Sequence, residues 1–282
     1  MNEKRFNYQG KWALVTGASS GIGKTFAYEL AARRANVILT SRSEVVLDEM
    51  ARDIRERFEV QSEVIPLDLA DLDAPKRLFC KVNEMNHTVQ VLINNAGFGS
   101  YGRLQENPVE RHGSQILLNA FSPAILAQLF LPAMVAVGDG AIINVASIAA
   151  FQPTPYMAIY GASKAFVLSF SEALWAENLH TGVRILALCP GPVDTGFFEA
   201  FGGDAPAAMG RRDTAENTVR TALRALDRGR NYVISGNAWY FWLSQSGRFV
   251  SRSTLARTSE RILRPSAVRN AGNSVNGTRA IV

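Results

Sequence analysis

Tyr160 and Lys164 stand four positions apart in the stretch YGASK, and Ser147 lies thirteen residues upstream in NVASIAAFQ. On a helix, side chains four apart lie one above the other, so the phenol and the ammonium would be neighbours. A phenol with a pKa of about 10 is a poor proton carrier near neutrality, but a cation beside it favours the phenolate and brings it toward the range of a working general acid. The spacing therefore predicts that Lys164 lowers the pKa of Tyr160. Seven Tyr and six Lys in 282 residues would give such a pair about 0.15 times by chance, and it occurs once. After Lys81 the chain uses sixteen arginines and a single lysine, which is Lys164. A compact ammonium stands where a planar guanidinium that never deprotonates is otherwise the habit.

Upstream, TGASSGIG places Gly17, Gly21 and Gly23 between an apolar strand and a helix that begins at Ile22. Glycines at such a turn let the backbone approach a pyrophosphate, whose charge the helix N-terminus stabilises. The second strand ends in ILTSRS, where NAD-binding folds usually carry a carboxylate for the ribose hydroxyl. Thr40, Ser41 and Arg42 offer none. Arg42, helped by Ser19, suits an anionic 2′-phosphate, which points to NADP(H) over NAD(H). Cys80, Cys189, His87, His112 and His180 match no metal-ligand spacing, so no metal site is expected.

These groups need a scaffold, and its elements are legible. Apolar runs of strand character recur as WALVT, NVILT, SEVIP, VQVLIN, GAIINVAS, VRILALC and NYVIS, separated by amphipathic helical segments. The alternation predicts a single α/β domain, a doubly wound Rossmann-type parallel sheet of about seven strands covered on both faces. We place the catalytic domain at 1–238, an amphipathic basic helical extension at 239–264, and a disordered tail at 265–282. Residues 191–212, rich in Gly, Pro and Ala with three phenylalanines, are expected to form a long mobile loop.

Composition is that of a soluble protein, 47% apolar and 20% charged, and it shows neither a signal peptide nor an apolar run that would span a membrane. A cytoplasmic protein is expected. The charge is uneven: residues 1–210 carry 17 basic and 21 acidic side chains, residues 211–282 carry 13 and 4. No recognition motif supports a nucleic-acid partner for that basic quarter. In 239–264, Trp242, Phe249, Ala256 and Leu263 recur seven apart among arginines. Three readings stay open for this helix: packing over the cleft or a sister subunit, a weak peripheral membrane contact, or an exposed tail.

Taken together, TGASSGIG, LDLAD (67–71), NNAG (94–97), Asn119, Ser147, YGASK and PGPVDT (190–195) resemble the short-chain dehydrogenase/reductase family in order and spacing, from about Lys11 to Ile234. Several phrases are similar to a bacterial subgroup of NADP-dependent ketoreductases. The resemblance implies that Gly17, Ser19, Gly21, Ile22 and Gly23 hold the pyrophosphate and that Asp68 and Leu69 lie near the adenine. It places Asn95, Ala96 and Gly97 along the cofactor and Pro190, Gly191, Val193 and Thr195 around the nicotinamide. It makes Ser147 the holder of the substrate oxygen, Tyr160 the general acid, Lys164 its partner on the ribose, and Asn119 the anchor of a proton-relaying water. Plainer readings stand beside these: Asp68 as a turn cap, Asn95 and Gly97 as a tight turn, Pro190 as a strand terminator, Asn119 as a buried amide bonded to backbone. A homodimer or homotetramer is also implied.

Phe98, Ala149, Phe151, Pro153, Tyr156, Phe197, Phe198 and Phe201 flank this site in sequence, so an apolar carbonyl substrate is expected if they line it. Arg103, Arg211 and Arg212 would be the groups to meet a phosphate-bearing carrier. The rival from another class is a regulator or scaffold that binds NADP(H) without turnover.

Overall fold

The computed structural model describes residues 5–197, 212–245, 247 and 249–265. Phe198, Phe201, Arg211 and the tail beyond 265 lie outside these. The elements run β1 (Trp12–Thr16), α1 (Gly21–Ala31), β2 (Asn36–Ser41), α2 (Glu44–Phe58), β3 (Ser62–Pro66), α3 (Ala74–Glu84), β4 (Val89–Asn94), α4 (Val109–Ile116), α5 (Ser122–Val137), β5 (Gly140–Val145), α6 (Ala158–Glu177), β6 (Val183–Pro190), α7 (Ala215–Asp227), β7 (Tyr232–Ser235), α8 (Ala238–Gln245) and α9 (Arg252–Leu263). The seven strands form one sheet in the order β3-β2-β1-β4-β5-β6-β7, and every adjacent pair is parallel.

Near-continuous apolar runs form these strands because both faces are covered, and side chains alternate between two cores. Val37 and Leu39 of β2, Val91 and Ile93 of β4, and Ala141 and Ile143 of β5 enter the core shared with α1, α2 and α7. Their neighbours Ile38, Leu92 and Ile142 enter the opposite core with α3, α5 and α6. Each fully buried Leu or Ile contributes about 1.5–3 kcal/mol relative to exposure. The order reverses between β1 and β4, and the loops after them part there to leave a crevice beyond the strand ends.

A second, polar layer fixes α6 to the sheet. Asn94 Nδ2 donates to Asn144 Oδ1 at 2.8 Å and to the Pro123 carbonyl at 3.2 Å. Asn144 Nδ2 donates to Ser171 Oγ at 2.9 Å, and Ser171 Oγ donates to the Val167 carbonyl at 2.6 Å. All of these side chains are buried. Replacing Asn144 by Ala would remove one buried hydrogen bond from Asn94 and one from Ser171, each of which keeps its bond to a carbonyl, so we expect a loss of about 1–3 kcal/mol in chemical denaturation; an unchanged midpoint would show that the ladder carries no stability.

Two expectations need correction. The stretch 116–137 carries no charged residue, and the continuous helix Val109–Val137 is long and apolar enough by length and composition to cross a membrane. Within it, Leu126, Ala127, Phe130 and Met134 of α5 pack into the core against the sheet. The extension is two helices rather than one. α8 ends at Gln245 before Gly247, and α9 starts anew where Ser251 caps it, its hydroxyl accepting from the Thr254 N–H at 3.2 Å. Glycine weakens helix continuation and serine favours a fresh N-terminus, which outweighs the seven-residue apolar repeat.

Candidate active site

The first βα turn is built around contacts that admit no side chain. Gly17 has φ +64°, and a Cβ there would sit 2.9 Å from Ala96 Cα. A Cβ on Gly23 would fall on the Gly17 carbonyl oxygen and on Asn95 Nδ2. The turn is stapled to the loop after β4 by Thr16, which the sequence reading did not single out. Its Oγ1 accepts from the N–H groups of Asn95 (2.9 Å) and Ala96 (3.0 Å), while Asn95 Nδ2 returns to the carbonyls of Thr16 (2.9 Å) and Gly17 (3.2 Å). α1 begins at Gly21, one residue before the expected Ile22.

A cleft of about 1740 Å³ runs from this turn over the strand ends. Gly17, Ser19, Gly21, Ile22, Arg42, Asp68, Leu69, Asn95, Ala96, Gly97, Ser147, Tyr160, Lys164, Pro190, Gly191, Val193 and Thr195 line it. Gly23 lies beneath the turn, and Asn119 sits behind the wall. At the β2 end, Thr40 Oγ1 and Ser41 Oγ are buried without a hydrogen-bond partner, beside Arg42. Asp68 accepts from the Ala70 N–H at 3.0 Å, so the turn-cap reading holds for the same residue that faces the cleft. The glycine cradle and the two orphaned hydroxyls fit a dinucleotide lying from β2 across to β6.

At the far end, Ser147 follows β5 in extended conformation and starts a short 3-10 turn, its Oγ accepting from the Ala149 N–H at 3.1 Å. Tyr160 and Lys164 fall on the buried face of the first turns of α6. Tyr160 is 7% exposed, and its ring lies 5.7 Å from that of Phe197. Burial pushes its phenol up to about 12, against a smaller lowering from the hydrogen bond with Ser147. The expected lowering by Lys164 is therefore overturned. The Lys164 ammonium donates to the Val145 carbonyl at 2.7 Å, 5.9 Å from the Tyr160 ring centre, and burial brings its own pKa down to about 8. Lys164, titrating near 8, has lost its charge before the phenol ionises, so no cation stands beside the phenolate and desolvation decides the shift.

Asn119 occupies a π-helical turn, Leu117–Phe121, between α4 and α5. Such turns insert a residue and re-aim side chains at functional sites. Its amide clips the Phe98 backbone from both sides, with Nδ2 to the carbonyl at 2.8 Å and Oδ1 from the N–H at 3.1 Å, and reaches Ser163 Oγ at 3.3 Å. A Cβ on Gly97 would lie 3.0 Å from Asn119 Oδ1 and 3.5 Å from Lys164 Nζ, so this glycine keeps the two side chains within reach of the cleft.

The apolar wall differs from the one expected. Phe98, Ala149 and Phe197 do line the cleft. Phe151 packs on Tyr232 instead, and Pro153 and Tyr156 also lie off the lining. Arg103 is not on the lining, and Arg212 pairs with Asp194 at 3.4 Å. The cover comes from α8 and α9, through Tyr240, Leu243, Leu255, Ile262 and Leu263. These helices are fastened to the active-site loops. Tyr101 OH donates to the Leu263 carbonyl at 2.6 Å, and Tyr156 OH donates to Glu260 at 2.7 Å. Arg264 grips the same carboxylate with two bonds of 2.8 and 2.7 Å and, with the Tyr156 bond, holds it down at about 2. Tyr156 reaches Glu260 from a left-handed backbone, φ +64°, an uncommon and strained state for a bulky residue.

A cleft on the first βα turn of an all-parallel sheet is where dinucleotides lie in doubly wound folds, and with the helix that carries Tyr160 and Lys164 over its other end it points to the class: an oxidoreductase working with a nicotinamide cofactor. Residues 11–205 match the family model for short chain dehydrogenase, and the chain belongs to that family. Its sequence is 36% identical over 189 residues to the very-long-chain 3-oxoacyl-CoA reductase of Bos taurus, covering 64% of this chain and 59% of that one. The chain spans little more than half the length of that reductase and of the hydroxysteroid dehydrogenase-like protein 1 of Gallus gallus, which it also matches. Among solved structures it is similar to a short-chain dehydrogenase from Sphingobium yanoikuyae in complex with NADPH, with TM-score 0.76, 31% identity, and 85% and 93% of the two chains covered. It is also similar to the bulky-bulky ketone specific alcohol dehydrogenase from Comamonas testosteroni, with TM-score 0.72, 29% identity, and 85% and 92% covered.

Proposed function

We propose that the chain is an NADP(H)-dependent ketoreductase acting on an apolar ketone, or on the secondary alcohol in reverse, with Tyr160 as general acid. The observation that carries this reading is the Tyr160 phenol, buried at the floor of an apolar-walled cleft and hydrogen-bonded with Ser147. Burial keeps that phenol protonated at neutral pH, so a proton is in place for the carbonyl oxygen, but it also makes the phenol a weaker acid than a free one. When bound, the nicotinamide supplies the hydride. Ser147 holds the carbonyl oxygen, Tyr160 protonates it, and Lys164 orients the ribose and refills the phenol through the side of the site that Asn119 orders. Gly17, Ser19, Gly21, Ile22 and Gly23 shape the pyrophosphate cradle, Asp68 and Leu69 flank the adenine, Asn95 to Gly97 support the middle, and Pro190, Gly191, Val193 and Thr195 close the nicotinamide end. Residues 1–238 form the catalytic unit and 239–264 its cover, and the working unit is a homodimer or homotetramer.

Arg42, with the orphaned hydroxyls beside it, supports a 2′-phosphate and hence NADP(H). The structure complexed with NADPH that this chain is similar to supports the same choice. Arg42→Ala is expected to cut the preference for NADPH over NADH by about 10- to 100-fold, the size of a charge-assisted hydrogen bond, with NADH kinetics unchanged. An unchanged preference would remove Arg42 from that role. For the activity itself, NADPH consumption is measured against a panel of steroid, aryl and long-chain ketones. Turnover of bulky members is the expected outcome, and no consumption with any member would overturn the reading in favour of a silent NADP(H)-binding regulator.

A further inference from the structure

The cover of the cleft carries an apolar surface that the catalytic reading does not use. Trp239 (65% exposed), Phe241, Trp242 (67%) and Phe249 (85%) all stand out to solvent on α8 and the turn after it; among the described residues the only other exposed Phe or Trp is Phe166. Trp239 and Trp242 are three apart on α8 and share a face. Residues 239–264 contain five arginines and one carboxylate, Glu260. Tyr156 and Arg264 already hold that carboxylate and Arg261 lies within its field, so Arg252 and Arg257 have no ion-pair partner among the described residues. Trp239, Val250 and Ile262 are at once exposed and part of the cleft lining, which puts this surface at the mouth of the cleft.

We propose that the α8–α9 face docks on an anionic lipid surface, with the cleft mouth against the bilayer, so that an apolar ketone enters from the lipid. Exposed Trp and Phe beside unpaired arginines match the two forces that hold a protein on such a surface, apolar burial at the headgroup level and attraction to anionic lipid. A second copy of this chain fits less well. A two-fold contact would set each arginine group against its own like charge. The clasp of Tyr101, Tyr156 and Glu260 holds α9 to the body, and α8 is seated by Tyr240, which is buried against Gly191, so the face is carried at the mouth by both helices. Substrate entry rests on the ketoreductase reading; docking does not.

The test is sedimentation of the full chain with phosphatidylcholine vesicles, with and without phosphatidylglycerol. Binding is expected only with the anionic lipid, and it weakens as salt is raised. Trp242→Ser with Phe249→Ser, two residues off the cleft lining, should lower vesicle partition by at least about tenfold while reduction of a water-soluble ketone is unchanged. Arg252→Glu with Arg257→Glu should lower it by about fivefold or more per arginine. Equal sedimentation with both vesicle types, or no effect of either pair of substitutions, overturns docking. A drop in particle mass by light scattering on the aromatic substitutions, with vesicle binding unchanged, also overturns it and assigns the face to a second copy. Vesicle binding without turnover of any ketone leaves docking standing and overturns the ketoreductase reading instead; turnover without vesicle binding does the reverse.

Discussion

Tyr160→Phe is expected to lower NADPH-dependent ketone reduction by about a thousandfold while leaving the NADPH dissociation constant within about twofold, since loss of a general acid is worth 10²–10⁴. The substitution removes one oxygen and keeps the ring, so the contact with Phe197 and the packing with Ala149 and Met157 survive. Single-turnover reduction, NADPH titration by fluorescence and thermal melting together separate the chemical loss from a folding defect. A rate within tenfold of the parent would take the acid role away from Tyr160 and leave the family match without its expected chemistry.

The second large effect lies in pH. Lys164 has its pKa brought down to about 8 by burial, so its ammonium is lost as pH rises through that value while the Tyr160 phenol, near 12, is still protonated. kcat/KM for reduction is expected to be level below about 8 and to fall tenfold per unit above it, because the cation that orients the cofactor side of the site is gone. Lys164→Arg should show a lower plateau with no such limb, since guanidinium does not titrate in that range. A limb that stays at the same pH in the arginine variant would assign it to another group. Stability moves the other way. Folded Lys164 titrates below its unfolded value of 10.5, so between about 8 and 10.5 the unfolded chain binds the extra proton and this group makes the fold more stable as pH rises. Below about 8 it contributes a constant destabilisation, the cost of burying an ammonium.

Much of this site lay open in the sequence because its parts sit at strand ends. Seven strands and the turns after the first, fourth, fifth and sixth could be read from apolar runs and from glycine, asparagine, serine and proline at their ends, and one sheet brings those ends together. What could not be read joins residues far apart in the chain. Thr16 meets Asn95 at a separation of 79, Asn94 meets Asn144 at 50, and Tyr156 meets Glu260 at 104. Periodicity reports only on a residue's own helix or strand, so it marks neither a staple, a ladder nor a clasp. The direction of the Tyr160 shift was missed for a related reason. Spacing places the cation nearby, but only packing shows that the phenol loses more from leaving water than it gains from its hydrogen bond with Ser147.

The cover formed by α8 and α9 separates two parts of the cleft along the chain. The family match ends at residue 205, whereas part of the cleft wall comes from residues between Asn237 and Leu263. The glycine turn, Tyr160 and Lys164 all fall inside the matched segment. Substitutions after residue 237 can therefore reshape the cleft wall without altering any of them.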